Sequence, residues 1–481
     1  MTLRNEVLDR RILSLSEVDD VHGRDIFEGI FVAGAPGSGK TAHVGAQIAR
    51  SFLKTPGMSG LVLTAKSSDT PQWLNYAKET GRIRDTIVFS EKSGYQFDPI
   101  AYEWGRPGRG AGDVENIIDF FTTLVSLGKK DTAHGHDPFW ERGNEQLMRN
   151  VIKLLDLSGE TISIVSIDRC IKSLPTHPGE YEEEAWQKES FCAHLIASIR
   201  ARKETLTPDQ WSDLDFATQF IFKKWPAFDE RPRSSLEMTW SGMADKFLFS
   251  PLNRIFCGSV CSIKPEMTTL DSKIIIVDFP LLEYGFETAK LIQAIVKLTF
   301  QRAWLRRDLA ASGNPIFLWQ DEFQYFVTRR DNFFQQTCRG SRVAVVCLTQ
   351  NILNLAEELG EDQPGSKTKS FLANLGTKYF LQQNCPDTCL FASDQIGKEY
   401  RYIAGYNAGG DERHSHAGVS GSNQLAHIIE PVEFTRLLKP DSNNPYAEAI
   451  VYQSGKIFNA TKTEREPAGR NYLRVLFSRE T

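Results

Sequence analysis

The sequence predicts an α/β fold: a mostly parallel sheet interrupted by an inserted all-α domain. Three observations carry this. Short apolar runs at 29–33 (GIFVA), 61–64 and 86–89 alternate with helical sequence, the β-α-β-α-β order that gives parallel strands with helices on their faces. Strand signal then nearly vanishes between about 113 and 249. It returns at 273–279 (KIIIVDF), 315–320 (PIFLWQ), 343–348 (VAVVCL) and 377–381. The chain therefore divides into a first core part at 1–112, a helical insertion at 113–250 and a second core part at 251–481.

Each element has its own signal. The run at 29–33 suits a buried strand, 34–39 is a glycine-rich turn, and from Lys40 the spacing of Val44, Ile48 and Phe52 is helical. Within the insertion Trp140, Leu147, Val151 and Leu154 fall on one helix face. The stretches 182–203 and 208–224 also read as helices, and a Gly/Pro/Arg loop at 105–112 precedes the insertion. A long helix is expected over 287–307. The five glycines within 404–424, with Ser, Asn and His between them, predict a flexible loop. A hairpin is expected to join 449–452 to 457–460.

The 481 residues are 41% hydrophobic and 24% charged, an ordinary globular balance that excludes disorder throughout and fibrous classes. Lys and Arg total 56 against 61 Asp and Glu, for a net charge of −5. Such a chain is not coated in basic charge, so any contact with nucleic acid must use local patches or an assembled channel. No run reaches the roughly 18 apolar residues of a membrane span. The nearest approach, 289–300, is broken by Lys290, Gln293 and Lys297. The first 20 residues are charged and lack an apolar signal region. Eight cysteines are too few for a disulfide framework. A cytoplasmic chain with reduced thiols is expected.

Gly34, Ala35, Pro36, Gly37, Ser38, Gly39, Lys40 and Thr41 fit G-x-x-x-x-G-K-[ST] between a strand and a helix. Glycines let successive backbone N–H groups close on a β-phosphate, and the helix N-terminus faces the same anion. Lys40 would reach the β- and γ-phosphates and the Thr41 hydroxyl would bind Mg²⁺, so ATP with Mg²⁺ is the expected ligand pair. A second strand should bring carboxylates. The run 315–320 ends in Asp321 and Glu322, Asp321 for the metal and Glu322 for the attacking water. Asp278, a lone carboxylate followed by Phe-Pro, is the weaker rival. Gln350 follows the run at 343–348, where a polar side chain beside the acidic strand can sense the γ-phosphate. Arg339 and Arg342 precede that strand; an arginine there can cross a subunit boundary to the phosphoryl group, or can be plain surface.

Taken in order, GAPGSGKT, LVLTAKSSD, YQFDPI, DPFWERGNEQLMRNVIKLL, KIIIVDFP, FLWQDEF, CRGSRVAVVCLTQN, FLANLGTKYFLQQN, HAGVSGSN and PVEFTRLLKP resemble the coupling ATPases of conjugative type IV secretion, the TraG/TraD type of the FtsK/HerA superfamily. The resemblance runs from about 26 to 459. It implies a RecA-like P-loop core with an all-α insertion, a homohexameric ring that pumps DNA, and contact with a relaxase and secretion-channel proteins. Lys40 and Thr41 match the family's phosphate and metal positions, Asp321 and Glu322 its acidic motif, Gln350 its sensor and Arg339 its arginine finger. Anchored members carry transmembrane helices before the P-loop, whereas 33 residues precede Gly34 here. The resemblance thus implies a soluble member or one recruited to the inner membrane by an anchored partner. Two other roles stay open: a nucleotide-controlled recruitment module, or a motor in DNA processing or phage defence.

Other candidates are weaker. Arg329 with Arg330, Arg106 with Arg109, and Lys129 with Lys130 are basic pairs that would touch DNA in a ring or simply face solvent. Cys257 with Cys261 and Cys385 with Cys389 are C-x₃-C pairs for which free thiols are the default over zinc, and His134/His136 and His414/His416 are equally weak metal candidates. Trp140, Trp211, Trp225 and Trp240 are expected in the core.

Overall fold

The computed structural model describes residues 2–126, 138–258, 261–328, 330–411, 414–464 and 466–479. Two short strands, β1 (Arg11–Ser14) and β2 (Asp20–His22), pair with each other ahead of the core. The central sheet has nine strands among the described residues. They are β3 (Ile30–Ala33), β4 (Ser59–Leu63), β5 (Thr86–Phe89), β6 (Ile274–Val277), β7 (Ile316–Asp321), β8 (Val343–Thr349), β9 (Thr377–Phe380), β12 (Tyr446–Gln453) and β13 (Tyr472–Ser478). The order across the sheet is β13-β12-β9-β3-β8-β7-β4-β6-β5. From β9 to β5 all neighbours are parallel, and β12 and β13 add an antiparallel edge.

The apolar runs are continuous rather than alternating because the central strands are buried on both faces. Side chains then divide by period two. Phe31, Leu61, Ile275, Leu318 and Val345 point into one core layer; Val32, Val62, Ile276, Trp319 and Val346 point into the other. The second layer is closed by the helices Ala46–Lys54 and Asp69–Glu79, which bury Phe52 and Trp73. The first is closed by Phe286–Arg306 and the helices of the insertion, from Val114–Ser126 to Glu230–Leu248. Ile164 and Trp225 of the insertion belong to the same apolar cluster as Phe89 and Phe279. The helical stretch therefore packs on the sheet through one unbroken core.

The structure corrects several expectations. The described residues of 404–424 are not a loop: they lie within a hairpin of β10 (Lys398–Asp411) and β11 (His414–His427). Despite its glycines, serines and asparagines, the stretch pairs as a separate two-stranded sheet. The tail hairpin is also different. β12 pairs with β13 and β9, while 457–460 runs into a short 3₁₀ turn, Asn459–Thr461. The N–H groups of Asn459 and Ala460 are taken by the Asp19 carboxylate, both at 2.8 Å, so they cannot join a ladder. Trp225 and Trp240 are buried as expected, but Trp211 is exposed. The side chain of Trp140 lies outside the described residues.

Candidate nucleotide site

The P-loop joins β3 to a wide π-helical turn, Lys40–Gly45, that runs into the helix Ala46–Lys54. Its entry is pinned to the neighbouring strands on both sides. The Gly34 N–H donates to the Thr349 carbonyl at 3.2 Å and the Ala35 N–H to the Gln382 carbonyl at 2.9 Å. Gly37 and Gly39 have φ of 75° and 88°, which other residues adopt only at a cost. A Cβ at Gly34 would lie 2.4 Å from the Ser38 Oγ. That hydroxyl is buried and has no hydrogen-bond partner among the described residues. The loop thus wraps a buried, unsatisfied hydroxyl with its glycines, which fits an anionic ligand.

β8 lies between the P-loop strand β3 and the acidic strand β7, so the three strand ends meet. The Thr41 hydroxyl donates to Asp321 Oδ2 at 2.8 Å. The Lys40 ammonium stands 3.4 Å from Asp321 Oδ1 and 3.5 Å from Glu322 Oε1. The Gln350 amide donates to Glu322 Oε1 at 3.0 Å. Lys40, Thr41, Asp321, Glu322 and Gln350 are therefore brought together, as their motifs predicted. Gln320, the polar break in the run before them, is buried against Cys347 of β8. Asp278 is elsewhere, at the end of β6 two strands beyond β7, and accepts the Thr70 hydroxyl at 2.7 Å.

Glu322 is a non-glycine residue at φ 54°. Such a conformation costs of order 1–2 kcal/mol, which the contacts around it must offset. Burial pushes its carboxyl up. The Lys40 charge, the hydrogen bonds from Gln324 and Gln350, and the Lys66 charge together outweigh that and hold it down at about 2.

Three residues of the site carry no motif of their own. Gln324 is buried, donates to Glu322 Oε2 at 3.0 Å and accepts the Thr349 hydroxyl at 3.0 Å. Lys66 reaches Glu322 Oε1 at 3.3 Å. Asp69 Oδ2 accepts the N–H groups of Ala65 and Lys66, both at 2.9 Å. The signal available for the last two was their place just past a buried strand, in LVLTAKSSD. For Gln324 it was the second position after the acidic pair.

Arg339 is not among these groups. It lies before β8, at the strand's opposite end from Gln350, is 66% exposed and pairs with Glu28 at 3.0 Å. Arg342 is spent on structure, donating to the Gly313 carbonyl at 2.8 Å. Arg106 is likewise committed, to Glu103 at 2.9 Å and the Arg109 carbonyl at 3.1 Å. Arg330 pairs with Asp119. Arg329, Lys129, Lys130, His134 and His136 lie outside the described residues, as do the side chains of His414 and His416. Among the described residues no three His, Cys, Asp or Glu side chains gather to hold a metal, and the cysteines are unpaired.

Residues 315–439 match the family model described as the TraM recognition site of TraD and TraG. All of the chain aligns in space with the bacterial conjugative coupling protein TrwBdeltaN70 in its unbound form, over 92% of that chain, at 13% identity and a TM-score of 0.59. The fold is that of the conjugative coupling proteins. The plasmid coupling protein TrwB in complex with ADP and Mg²⁺ superposes with a TM-score of 0.57 at 13% identity, over all of this chain and 92% of that one. TrwB with the non-hydrolysable ATP analogue ADPNP gives 0.54 at 14% identity, over all of this chain and 93% of that one. No curated protein matches the chain in sequence. In this coupling-protein fold the segment that matches TraD and TraG begins just before β7 and ends past the β10–β11 hairpin. No helix among the described residues is long and apolar enough to cross a membrane.

Proposed function

We propose that the chain is an ATP- and Mg²⁺-dependent motor that moves DNA, of the coupling-protein type. The observation that carries this is the convergence of Lys40, Thr41, Asp321, Glu322 and Gln350 at three adjacent strand ends. The TrwB complexes with ADP, Mg²⁺ and an ATP analogue support the ligand assignment. The residues themselves fit it. Thr41 and Asp321 offer the oxygen ligands that a hard cation takes. Mg²⁺ held there would neutralise phosphate charge and orient the triphosphate for in-line attack.

The chain's own groups do the rest. The P-loop N–H groups bind the β-phosphate and Lys40 turns from the two carboxylates to the phosphates. Glu322, ionised throughout the physiological range, accepts a hydrogen bond from the attacking water and aims it. Gln350, already on Glu322, reports the γ-phosphate to β8. Arg339 would complete the site of a neighbouring subunit in a homohexamer, with DNA in the central channel and relaxase or secretion-channel proteins as partners. A membrane-anchored partner would bring such a ring to the inner membrane.

The test is ATP turnover with and without single- and double-stranded DNA, beside Lys40→Ala and Glu322→Gln. DNA-stimulated turnover that both variants abolish is the expected outcome. A second reading, nucleotide-controlled recruitment of a protein partner, is favoured by the match of 315–439 to a recognition segment. Turnover indifferent to DNA, with no DNA binding at low salt, would place that reading first.

A further inference from the structure

Glu322 has only 4% of its side chain exposed, yet two cations attend its Oε1: Lys40 at 3.5 Å and Lys66 at 3.3 Å. Among the described residues its other side-chain donors are neutral, the amides of Gln350 and Gln324. The two lysines have different commitments. Lys40 belongs to the P-loop, and a triphosphate there draws its ammonium away from Glu322. Lys66 stands outside the loop, just past β4, on a backbone fixed at every turn. Thr64 N–H donates to Gln293 at 3.0 Å, Ala65 and Lys66 N–H to Asp69, and the Ala65 carbonyl accepts from Leu281 N–H at 3.1 Å. An anchored backbone thus delivers a side chain that is 58% exposed along its length and ends on a buried carboxylate.

We propose that Lys66 is the positioning cation of Glu322 in the nucleotide-bound state. It holds the carboxylate in place and aimed at water while Lys40 is engaged by phosphate. This rests on the nucleotide-site reading above. A buried carboxylate that loses its counter-charge is free to swing out of its aim. Once Lys40 leaves, Glu322 without Lys66 keeps two neutral amides alone among its described side-chain partners. Lys66 acts through Glu322 rather than on the phosphates, so its loss should appear in the chemical step and not in nucleotide binding.

Steady-state ATP turnover of the full chain, with Lys66→Met and Lys66→Arg, tests this. Lys66→Met should lower kcat about ten- to a hundredfold, the effect of losing one charge-assisted hydrogen bond, with KM for ATP changed by less than about twofold. Lys66→Arg, which keeps the charge, should regain most of kcat. Unchanged kcat, or a raised KM with kcat intact, overturns the proposal. If the chain binds ADPNP with Mg²⁺ but does not turn over ATP, thermal denaturation of Lys66→Met, Glu322→Gln and the double variant decides. Coupling between the two positions that persists with ADPNP and Mg²⁺ supports the role, and coupling that disappears overturns it. If Lys40→Ala binds ADPNP no worse than the unaltered chain, the nucleotide reading itself falls, and the role of Lys66 with it.

Discussion

At Gly39 the backbone has φ 88°, and a Cβ there would lie 2.6 Å from the Ala447 Cβ and 3.0 Å from the His43 ring. Gly39→Ala therefore meets backbone strain and a clash with the sheet edge together. It should destabilise the chain by about 1–3 kcal/mol and weaken nucleotide binding by more than about tenfold, read by thermal denaturation and ADPNP titration. Lys378 of β9 makes the opposite kind of case. It is 2% exposed, and its ammonium donates to the Leu375 carbonyl at 2.5 Å. Burial lowers its pKa from 10.5 to about 8. Below pH 8 the lysine is charged in both folded and unfolded chains, so the full burial cost is present. Between pH 8 and 10.5 the folded state sheds its proton first, and the cost fades. Stability should thus rise with pH across that window. Lys378→Met should stabilise the chain by about 1–3 kcal/mol at pH 7, a gain that vanishes above pH 10.5.

The segment that follows the acidic strand β7 is locked by a buried ion pair between elements. Lys297, in the helix Phe286–Arg306, is fully buried; its ammonium meets Asp331 at 2.5 Å and donates to the Phe326 carbonyl. Asp331 also accepts from Gln301 at 2.8 Å and from the Thr328 N–H at 2.6 Å. Removing one partner leaves a buried charge unpaired. Lys297→Met should cost about 3–5 kcal/mol in urea unfolding, and adding Asp331→Asn should return part of it. The β10–β11 hairpin presents the reverse situation: Tyr400, Tyr402 and Leu425 are exposed on it. Replacing 403–424 by a short Gly-Ser turn should change unfolding stability by less than about 1 kcal/mol. The same contrast explains what the sequence revealed. Strands β3, β7 and β8 were legible because burial on both faces forces unbroken apolar runs. The hairpin was not, since its glycines, serines and asparagines at 404–424 carry the composition of a loop. The fate of 457–460 depended on Asp19, more than 400 residues away. Within the site, Lys40, Thr41, Asp321, Glu322 and Gln350 announce themselves by spacing. Lys66, Asp69 and Gln324 are set beside them only by the fold.

Across the whole molecule, the position of Arg339 decides how the site can be completed. β8 runs from Val343 to Thr349, with Arg339 before it and Gln350 after it. Seven strand residues span roughly 20 Å, well beyond the reach of an arginine side chain. Arg339 thus cannot serve the Lys40 of its own chain, and its exposure, with Glu28 as a surface partner, leaves it available to another. If it is a finger in trans, each working site needs Lys40 from one subunit and Arg339 from the next. Lys40→Ala and Arg339→Ala should then each be inactive alone. An equal mixture should recover about a quarter of the unaltered turnover, because half the subunits supply each side of an interface independently. Turnover should also rise more steeply than linearly with protein concentration near the assembly threshold. An Arg339→Ala chain that keeps full turnover, or a mixture that stays inactive although mixed rings form, would remove Arg339 from the site while leaving the other groups in place.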